Sequence, residues 1–253
     1  MADPVTYERV GAAAVLTIDR QERRNAVDGP TAELLKRGYE SFVADDGARV
    51  LILTGAGGVA FCAGADLKAI DSFSPRLGDP GGPLGFTRLT PPKPTIAAIS
   101  GWCLAGGLEL ALWCDLRIAA AESTLGFPER RWGVPLIDGG TQRLPRVVGL
   151  GRALDIILTG RMVVAEEARE IGLVNEVVPP GQHLDRALEL AEALAGFPQE
   201  TMLADRRSAI EGLGMTLEEG LRLEAQAGPE VFEVAQRGAG RFAGGEGRHG
   251  EGV

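Results

Sequence analysis

The chain has 253 residues, of which 45% are apolar, and this fits one large α/β domain with or without a short appendage. Its net charge of −9 argues against nucleic acid and anionic membranes as partners, although a local basic cluster can still hold a polyanionic ligand. Three cysteines without a CxxC pair cannot form a disulfide framework, and no signal peptide or membrane span is visible, so a reduced, cytoplasmic protein is expected.

Strand and helix patterns alternate along the first two thirds of the chain. The predicted elements are, in chain order, strands over Val5 to Arg9 and Ala13 to Asp19, a helix starting at Asp28 to Pro30, a strand over Val50 to Thr54, an irregular loop over Ser72 to Pro94, a strand over Thr95 to Ser100, a helix over Gly107 to Trp113, a strand over Leu116 to Ala120, a helix pair over Thr141 to Leu158 broken at Gly149, and a helix around Leu184 to Ala191. The loop holds six prolines and four glycines, which is typical of lids and binding loops.

Only helix patterns remain after Gly196. They cover Pro198 to Leu213 and Leu217 to Ala227, where Gly228 is expected to end the helix and Pro229 to start another. The sequence therefore predicts a strand–helix core over residues 1–195 and a helical region over residues 196–253.

A glycine motif after the third strand resembles a dinucleotide-binding fingerprint. Gly55 to Ala60 matches G-x-G-x-x-A. Such a site needs a helix that begins on the glycines, and Gly64 interrupts any helix here. The acidic residue expected at the end of a second strand is also missing, because Ser72 to Pro83 is predicted loop. A nicotinamide-dependent enzyme is therefore disfavoured.

Histidine chemistry has almost no candidates. His183 opens an amphipathic helix, and His249 lies in a Gly/Arg-rich terminal stretch. Serine triads and histidine-based metal sites are therefore disfavoured, and acid–base chemistry is left to carboxylates, lysine or cysteine.

Two turns of small residues are candidate sites for binding an oxyanion. In Ala60 to Leu67 a turn precedes Asp66, which begins a helix, and the N–H of Ala65 can point outward; an ordinary glycine-based helix entry has the same pattern. In Gly101 to Ala111 the small residues Ala105 to Gly107 precede a helix, where free N–H groups gather at the positive end of the dipole.

Two glutamates follow these turns. Glu109 lies in the first turn of its helix, where it can simply complement the dipole. Because that helix is apolar nearly all round, we expect a buried carboxylate, and such groups are often functional. Glu129 precedes Arg130 and Arg131, so it is either a surface residue paired with arginine or a second functional carboxylate.

Together these segments resemble the crotonase (enoyl-CoA hydratase/isomerase) superfamily over nearly the whole chain. The segments that carry the resemblance are Arg20 to Ala26, Phe61 to Asp66, Gly101 to Asp115, Phe127 to Glu129, Gly139 to Leu144 and Glu167 to Pro179. The resemblance implies an α/β fold, a crotonase-like spiral of strand–strand–helix turns, followed by a C-terminal helical region that forms a homotrimer or a dimer of trimers.

The resemblance also implies an enoyl-CoA hydratase that acts on acyl-CoA without a separate cofactor or a metal. Ala65 and Gly106 would supply the two N–H groups of an oxyanion hole. Glu109 and Glu129 match the family's two acid–base glutamates, and the presence of both favours water addition. The residues expected to contact coenzyme A are Arg23, Arg24, Ala63, Asp66 and Lys68.

One segment departs from the hydratase pattern. Hydratases usually have a run of small residues after the second glutamate, and here Ile137 takes the place of a glycine while Asp138 adds a third carboxylate. Family members that isomerise dienoyl-CoA use an aspartate one residue earlier. Asp138 is expected to cap the following helix, with a role in the site as the alternative. Another crotonase reaction, such as double-bond isomerisation, and an acyl-CoA-binding protein without turnover stay open as alternatives.

Overall fold

The computed structural model describes residues 3–246, so His249 lies outside the described residues. The strands are β1 (Val5–Val10), β2 (Ala13–Ile18), β3 (Val50–Gly55), β4 (Ala60–Cys62), β5 (Thr95–Ile99), β6 (Trp102–Leu104), β7 (Leu116–Ala120), β8 (Thr124–Gly126), β9 (Met162–Val164) and β10 (Glu176–Val178). The helices are α1 (Gly29–Ala44), α2 (Gly106–Trp113), α3 (Gly140–Val148), α4 (Leu150–Thr159), α5 (Ala165–Glu170), α6 (His183–Gly196), α7 (Gln199–Glu211) and α8 (Leu217–Ala243). Short 3₁₀ helices cover Gln21–Arg23, Leu67–Arg76, Pro128–Trp132 and Gly212–Gly214.

The strands form two sheets. The larger has the order β1-β2-β3-β5-β7-β10, in which β1 and β2 are antiparallel and the other neighbours are parallel. The smaller has the order β4-β6-β8-β9, with only the last pair antiparallel. Every residue of β3 and β5 is buried, as expected for central strands covered on both faces.

The chain climbs through the two sheets by a repeated strand–strand–helix turn. Each of β3, β5 and β7 adds to the larger sheet, and the strand that follows it, β4, β6 or β8, adds to the smaller one. A helical segment then leads to the next turn. The predicted α/β spiral is confirmed.

Alternation along the strands divides the apolar core into two layers. Leu16, Leu51 and Leu53 face a large cluster that also takes in residues of the smaller sheet, such as Phe61 and Cys103. The alternate residues face a smaller cluster beneath α6, which includes Val15, Ile52, Ile96, Ala187 and Ala191. Both faces of the larger sheet are therefore covered.

The glycine motif at the end of β3 does not start a helix. The chain turns after Gly55 and enters β4 at Ala60, so it lacks the helix that the dinucleotide-binding fingerprint requires at its glycines. The Pro/Gly-rich segment begins inside the 3₁₀ helix Leu67–Arg76 and is irregular from there to β5, largely as predicted.

The described residues divide into two units after Leu194. In the C-terminal unit α7 packs on α8, and an ion pair of 3.2 Å joins Arg207 to Glu230. The prediction that Gly228 and Pro229 separate two helices is wrong, because α8 continues through both. Pro229 has no N–H, so α8 lacks one backbone hydrogen bond at this point. The carbonyl of Ala225, which would accept that bond, lies on an exposed stretch where water can act as the donor. Neither α8 nor any other helix in residues 3–246 has an apolar stretch that would span a bilayer.

Candidate active site

A cavity of about 330 Å³ lies where the two small-residue turns meet. Its lining includes Ala65 and Gly106 from the turns, and three carboxylates, Glu109, Glu129 and Asp138. The rest is almost entirely apolar: Leu67, Ile70, Phe73, Leu77, Leu84, Leu104, Trp132, Val134, Leu136 and Ile137 contribute. A cavity with apolar walls and a few converging polar groups is typical of a small-molecule site.

Two backbone donors face this cavity without an acceptor. In the described chain neither the N–H of Ala65 nor that of Gly106 has a hydrogen-bond partner. Gly64 allows the two segments to approach closely: a Cβ atom at Gly64 would lie 2.8 Å from the backbone nitrogen of Gly106 and 2.8 Å from Cβ of Ala105. The structure therefore brings together the two residues predicted for an oxyanion hole.

The turn before α2 has an unusual backbone conformation. Ala105 has φ of 52° and ψ of −126°, a region that residues with a side chain rarely adopt. Its N–H donates to the carbonyl of Gly126 at 2.9 Å, and its carbonyl accepts from Leu108 and Glu109. These bonds hold a conformation that costs about 1–3 kcal/mol, at the turn that presents Gly106 to the cavity.

Glu109 is a buried carboxylate, as predicted. Only 3% of the residue is exposed, because α2 is covered on all sides from Gly107 to Trp113. One oxygen, Oε1, accepts the backbone N–H groups of Asp138 at 3.0 Å and Gly140 at 2.7 Å. These two donors orient the carboxyl group at the cavity wall.

Glu129 is also buried, with 5% of the residue exposed. Among residues 3–246 neither of its carboxylate oxygens has a hydrogen-bond partner, and neither Arg130 nor Arg131 forms an ion pair with it. The alternative of a surface glutamate paired with arginine is therefore wrong. Pro128 starts a 3₁₀ helix that turns Glu129 inward while both arginines stay exposed.

The two glutamates are tuned to exchange protons near neutral pH. The pKa of Glu109 is raised to about 8, chiefly by burial and with a contribution from the charges of Asp138 and Glu129, while the hydrogen bonds from the backbone of Gly140 and Asp138 oppose the rise. Burial raises the pKa of Glu129 to about 7, while the nearby backbone N–H dipole of the same residue, which is not hydrogen-bonded to the carboxylate, and the charge of Arg130 oppose the rise. The charge of Glu129 raises the pKa of Glu109, so the two ionisations are coupled and the pair changes its protonation near neutral pH.

Asp138 does not cap helix α3, contrary to the prediction. The residue before that helix is Gly139, with φ of 106° and no side chain, and the first N–H of the helix, that of Gly140, donates to Glu109. The carboxylate of Asp138 is instead buried against the Pro/Gly-rich loop, where it accepts the N–H of Leu84 at 3.0 Å and the hydroxyl of Thr87. These two donors satisfy the carboxylate in an otherwise apolar wall, so it is not available to cap the helix.

Three basic residues lie on chain segments that border the cavity. The carbonyl of Arg24 accepts the N–H of Ala63, a cavity residue, at 3.1 Å, and the side chains of Arg23 and Arg24 are exposed. Lys68 is exposed at the start of the next 3₁₀ helix. The structure thus places the predicted basic residues on the segments next to Ala65.

The carboxylate of Asp66 serves the fold. Its Oδ1 accepts the N–H of Lys68 at 3.1 Å, and its Oδ2 forms an ion pair of 3.3 Å with Arg20, which also pairs with Asp28 at 2.8 Å. The backbone of Asp66 is engaged as well, because its N–H donates to the carbonyl of Val27 at 2.7 Å and its carbonyl accepts the N–H of Ala69 at 2.9 Å.

Several cavity residues were not predicted as part of a site. Phe73, Leu84 and Trp132 are ordinary apolar residues in irregular or 3₁₀ segments, where no periodicity indicates which way they face. The proline and glycine content of the loop was the one available signal. It indicated a binding loop without indicating which of its residues line the cavity.

Similarity to known proteins places this chain in one family. The profile of the enoyl-CoA hydratase/isomerase family matches residues 8–249. A short-chain-enoyl-CoA hydratase of Clostridium acetobutylicum is 36% identical over 234 residues, which cover 91% of this chain and 90% of that protein. A crotonyl-CoA hydratase of Syntrophomonas wolfei is also 36% identical, over 88% of this chain and 87% of its own.

Solved structures agree with this relationship. The crystal structure of the enoyl-CoA hydratase EchA1 from Mycobacterium marinum has a TM-score of 0.89 to this chain at 37% identity, over 95% of both chains. That of an enoyl-CoA hydratase from Mycobacterium tuberculosis also has a TM-score of 0.89, at 38% identity. The chain is a member of the enoyl-CoA hydratase/isomerase family, within the crotonase superfamily.

Proposed function

We propose that this protein is an enoyl-CoA hydratase, which adds water across the 2,3 double bond of an enoyl-CoA thioester. The observation that carries the proposal is a pair of buried glutamates, Glu109 and Glu129, on the wall of one apolar cavity that also contains two free N–H groups. The relatives named as hydratases support it. In this proposal the substrate carries the coenzyme A, no resident cofactor or metal takes part, and the enzyme works in the cytoplasm.

The two N–H groups stabilise the charge that develops on the thioester. When a nucleophile adds at C3, electrons move through C2 to the carbonyl oxygen and form an enolate. In the proposed complex that oxygen accepts the N–H groups of Ala65 and Gly106. Fixed donors in a cavity with little water stabilise such a charge more strongly than water does.

The glutamates transfer the protons. The ionised carboxylate of the pair takes a proton from water, and the hydroxide equivalent bonds to C3. The protonated carboxyl gives its proton to C2, which restores the thioester carbonyl. The reaction leaves the pair with one proton, as before, and a pair that shares one proton near neutral pH suits both tasks.

An assay with crotonyl-CoA tests this proposal. The purified protein should remove the ultraviolet absorbance of the enoyl thioester and form a product one water heavier by mass spectrometry. Protein carrying both Glu109→Gln and Glu129→Gln is the control for contaminating hydratase. Hydration no faster with wild type than with this control would reject the proposal.

Double-bond isomerisation is the second candidate, and Asp138 is the observation that favours it. This third buried carboxylate lines the same cavity, and Ile137 replaces a residue that is small in hydratases. An isomerase would convert a 3-enoyl-CoA into the 2-enoyl isomer without a change in mass. Rapid isomerisation with negligible water addition would favour this reaction over hydration.

The basic residues near Ala63 are proposed to bind the phosphates of coenzyme A. Replacing Arg23 and Arg24 by alanine should raise KM for crotonyl-CoA several-fold, leave kcat nearly unchanged and reduce the salt dependence of KM. Lys36 and Arg37 form an adjacent basic pair on α1, and their double alanine variant controls for the change in net charge. Equal KM values in the two double variants would remove Arg23 and Arg24 from the site.

The C-terminal unit is proposed to mediate threefold assembly. In the described range α8 exposes large apolar side chains, among them Leu217 at 79% and Phe232 at 59%. Exposed apolar residues at this density are typical of an interface. Light scattering at micromolar concentration should give a trimer or a dimer of trimers, and a monomer mass would contradict the proposal.

A further inference from the structure

Asp138 is a cavity carboxylate to which the proposed hydration gives no task. Its Oδ1 accepts the backbone N–H of Leu84 at 3.0 Å and the hydroxyl of Thr87. Both donors lie in the Pro/Gly-rich loop, and the side chain is buried between this loop and the start of α3. The carboxylate therefore holds two segments of the cavity wall together.

The backbone of the same residue holds Glu109. Its N–H donates to Oε1 of Glu109 at 3.0 Å, next to the N–H of Gly140 at 2.7 Å on the same oxygen. Gly140 packs so closely there that a Cβ atom would lie 3.0 Å from that oxygen. A shift of Asp138 thus moves one of the two groups that orient Glu109.

Two arginines connect the same segments from outside the cavity. Arg143 donates to the carbonyl of Asp138 at 2.9 Å and to the carbonyl of Thr87 at 2.6 Å. Arg88 donates to the carbonyl of Ile137 at 3.3 Å. The loop and the α3 entry therefore form one hydrogen-bonded unit around the Asp138 carboxylate.

The loop end of this unit reaches the free N–H groups. Leu84 lines the cavity, and its Cδ1 would lie 2.9 Å from a Cβ atom placed on Gly106. The hydrogen bond between the Leu84 backbone and the Asp138 carboxylate therefore fixes the position of the cavity wall opposite Gly106, one of the two proposed oxyanion donors. One side chain bridges the two parts of the proposed reaction, carbonyl binding and proton transfer.

We propose that Asp138 is a positioning residue for the hydration: its side chain fastens the loop wall to the backbone that orients Glu109. The inference rests on the proposed function. It assigns Asp138 no direct contact with the reacting atoms. Its negative charge has a second effect, because it favours the protonated form of Glu109.

The effect of the Asp138 charge on the protonation of Glu109 depends on the charged groups around both residues. Glu129, Asp138 and Arg143 act on Glu109. Burial raises the pKa of Asp138, and the hydrogen bonds from Thr87 and Leu84 and the charges of Arg88 and Arg143 limit that rise. Removing the charge of Asp138 lets Glu109 lose its proton at a lower pH. The alkaline limb of the kcat profile should then move to lower pH.

Two substitutions separate the bonds from the charge. Asp138→Asn keeps an oxygen that can accept both loop donors, so KM should stay near wild type while the alkaline limb moves to lower pH. Asp138→Ala loses both bonds, and kcat/KM should fall on the order of 10-fold or more. Asp79→Asn is the control, since this loop carboxylate bonds to Gly81 at 2.7 Å and does not line the cavity.

Amide hydrogen exchange gives a readout that does not depend on catalysis. Exchange over residues 83–88 should be faster in Asp138→Ala than in wild type and near wild type in Asp138→Asn. Wild-type exchange in Asp138→Ala, or a lower melting temperature in both variants with unchanged KM and pH profiles, would overturn the proposal. If the wild-type protein does not hydrate crotonyl-CoA, the proposed function fails by itself, and loop exchange still tests the bridge.

Discussion

Replacement of Glu129 by glutamine is expected to lower kcat for the hydration of crotonyl-CoA by about 10²-fold or more, with the fold intact. Glutamine has nearly the same shape and cannot take up or release a proton at this position. The side chain has no hydrogen-bond partner among residues 3–246, so no bond of the folded chain is lost. The whole effect should therefore appear in turnover, measured with saturating crotonyl-CoA.

The Glu129→Gln substitution should also change the pH profile of kcat. In the wild type kcat should be bell-shaped around pH 7 to 8, because below that range both carboxyls are protonated and above it both are ionised. With Glu129→Gln the pair has one ionisable member left, and one limb of the bell should disappear. Because the charge of Glu129 raises the pKa of Glu109, the remaining limb should lie at a lower pH.

Glu109→Gln should be as severe for hydration. The amide oxygen can still accept the N–H groups of Asp138 and Gly140. The side chain therefore keeps its orientation but can no longer exchange a proton. The double variant should be little worse than either single variant, since both carboxyls act on one transition state. An isomerase would instead show one severe and one mild substitution.

Glu40→Gln, an exposed residue of α1, is the matched control and should keep wild-type kcat. Circular dichroism and thermal melting must accompany the kinetics, because a change of buried charge can unfold a protein. Folded Glu129→Gln and Glu109→Gln variants with near wild-type turnover would reject the two-glutamate mechanism.

The second large effect is expected for Gly64→Ala, which should lower kcat by about 10²-fold through the oxyanion donors. The new Cβ atom would lie 2.8 Å from the nitrogen of Gly106 and 2.8 Å from Cβ of Ala105, so the two turns must separate. Ala105 already has a positive φ and has little room to adjust. Binding of a saturated acyl-CoA should weaken less than turnover falls, because the donors matter most for the enolate.

Gly58→Ala controls for backbone strain in this experiment. Gly58 also has a positive φ, of 71°, but a Cβ atom there meets nothing within 4 Å. Alanine at this position should therefore cost about 1 kcal/mol of unfolding free energy without an effect on kcat. If the two alanine variants have the same kcat, contact between the turns is not what positions the donors.

Most of the fold could be predicted from sequence, because its central strands are long apolar runs and its helices have clear ends. The strands of the smaller sheet could not. β4, β6, β8 and β9 have three residues each, too few to show alternation, and their pairing with partners far along the chain makes them strands. Tertiary context also overrides the helix-breaking pattern at Gly228 and Pro229.

The candidate site was predictable where chemistry and spacing coincide, at Ala65, Gly106, Glu109 and Glu129. The role of Asp138 could not be predicted in this way. A residue before a glycine and a helix looks like a cap, and nothing near it in the sequence indicates Thr87, which lies 51 positions earlier. Such a bond depends on how an irregular loop folds back, and no local pattern encodes that path.

The free polar atoms of the cavity link ligand occupancy to folding. Ala65 and Gly106 have N–H groups, and Glu129 has carboxyl oxygens, that no other described residue satisfies. Burying such an atom without a hydrogen-bond partner costs free energy, and a ligand that supplies the partner removes that cost. A thioester that binds only the folded protein shifts the folding equilibrium by mass action, so resistance to heat and proteolysis should rise with acyl-CoA concentration. The supply of substrate would thereby help to set how long each molecule of the enzyme survives.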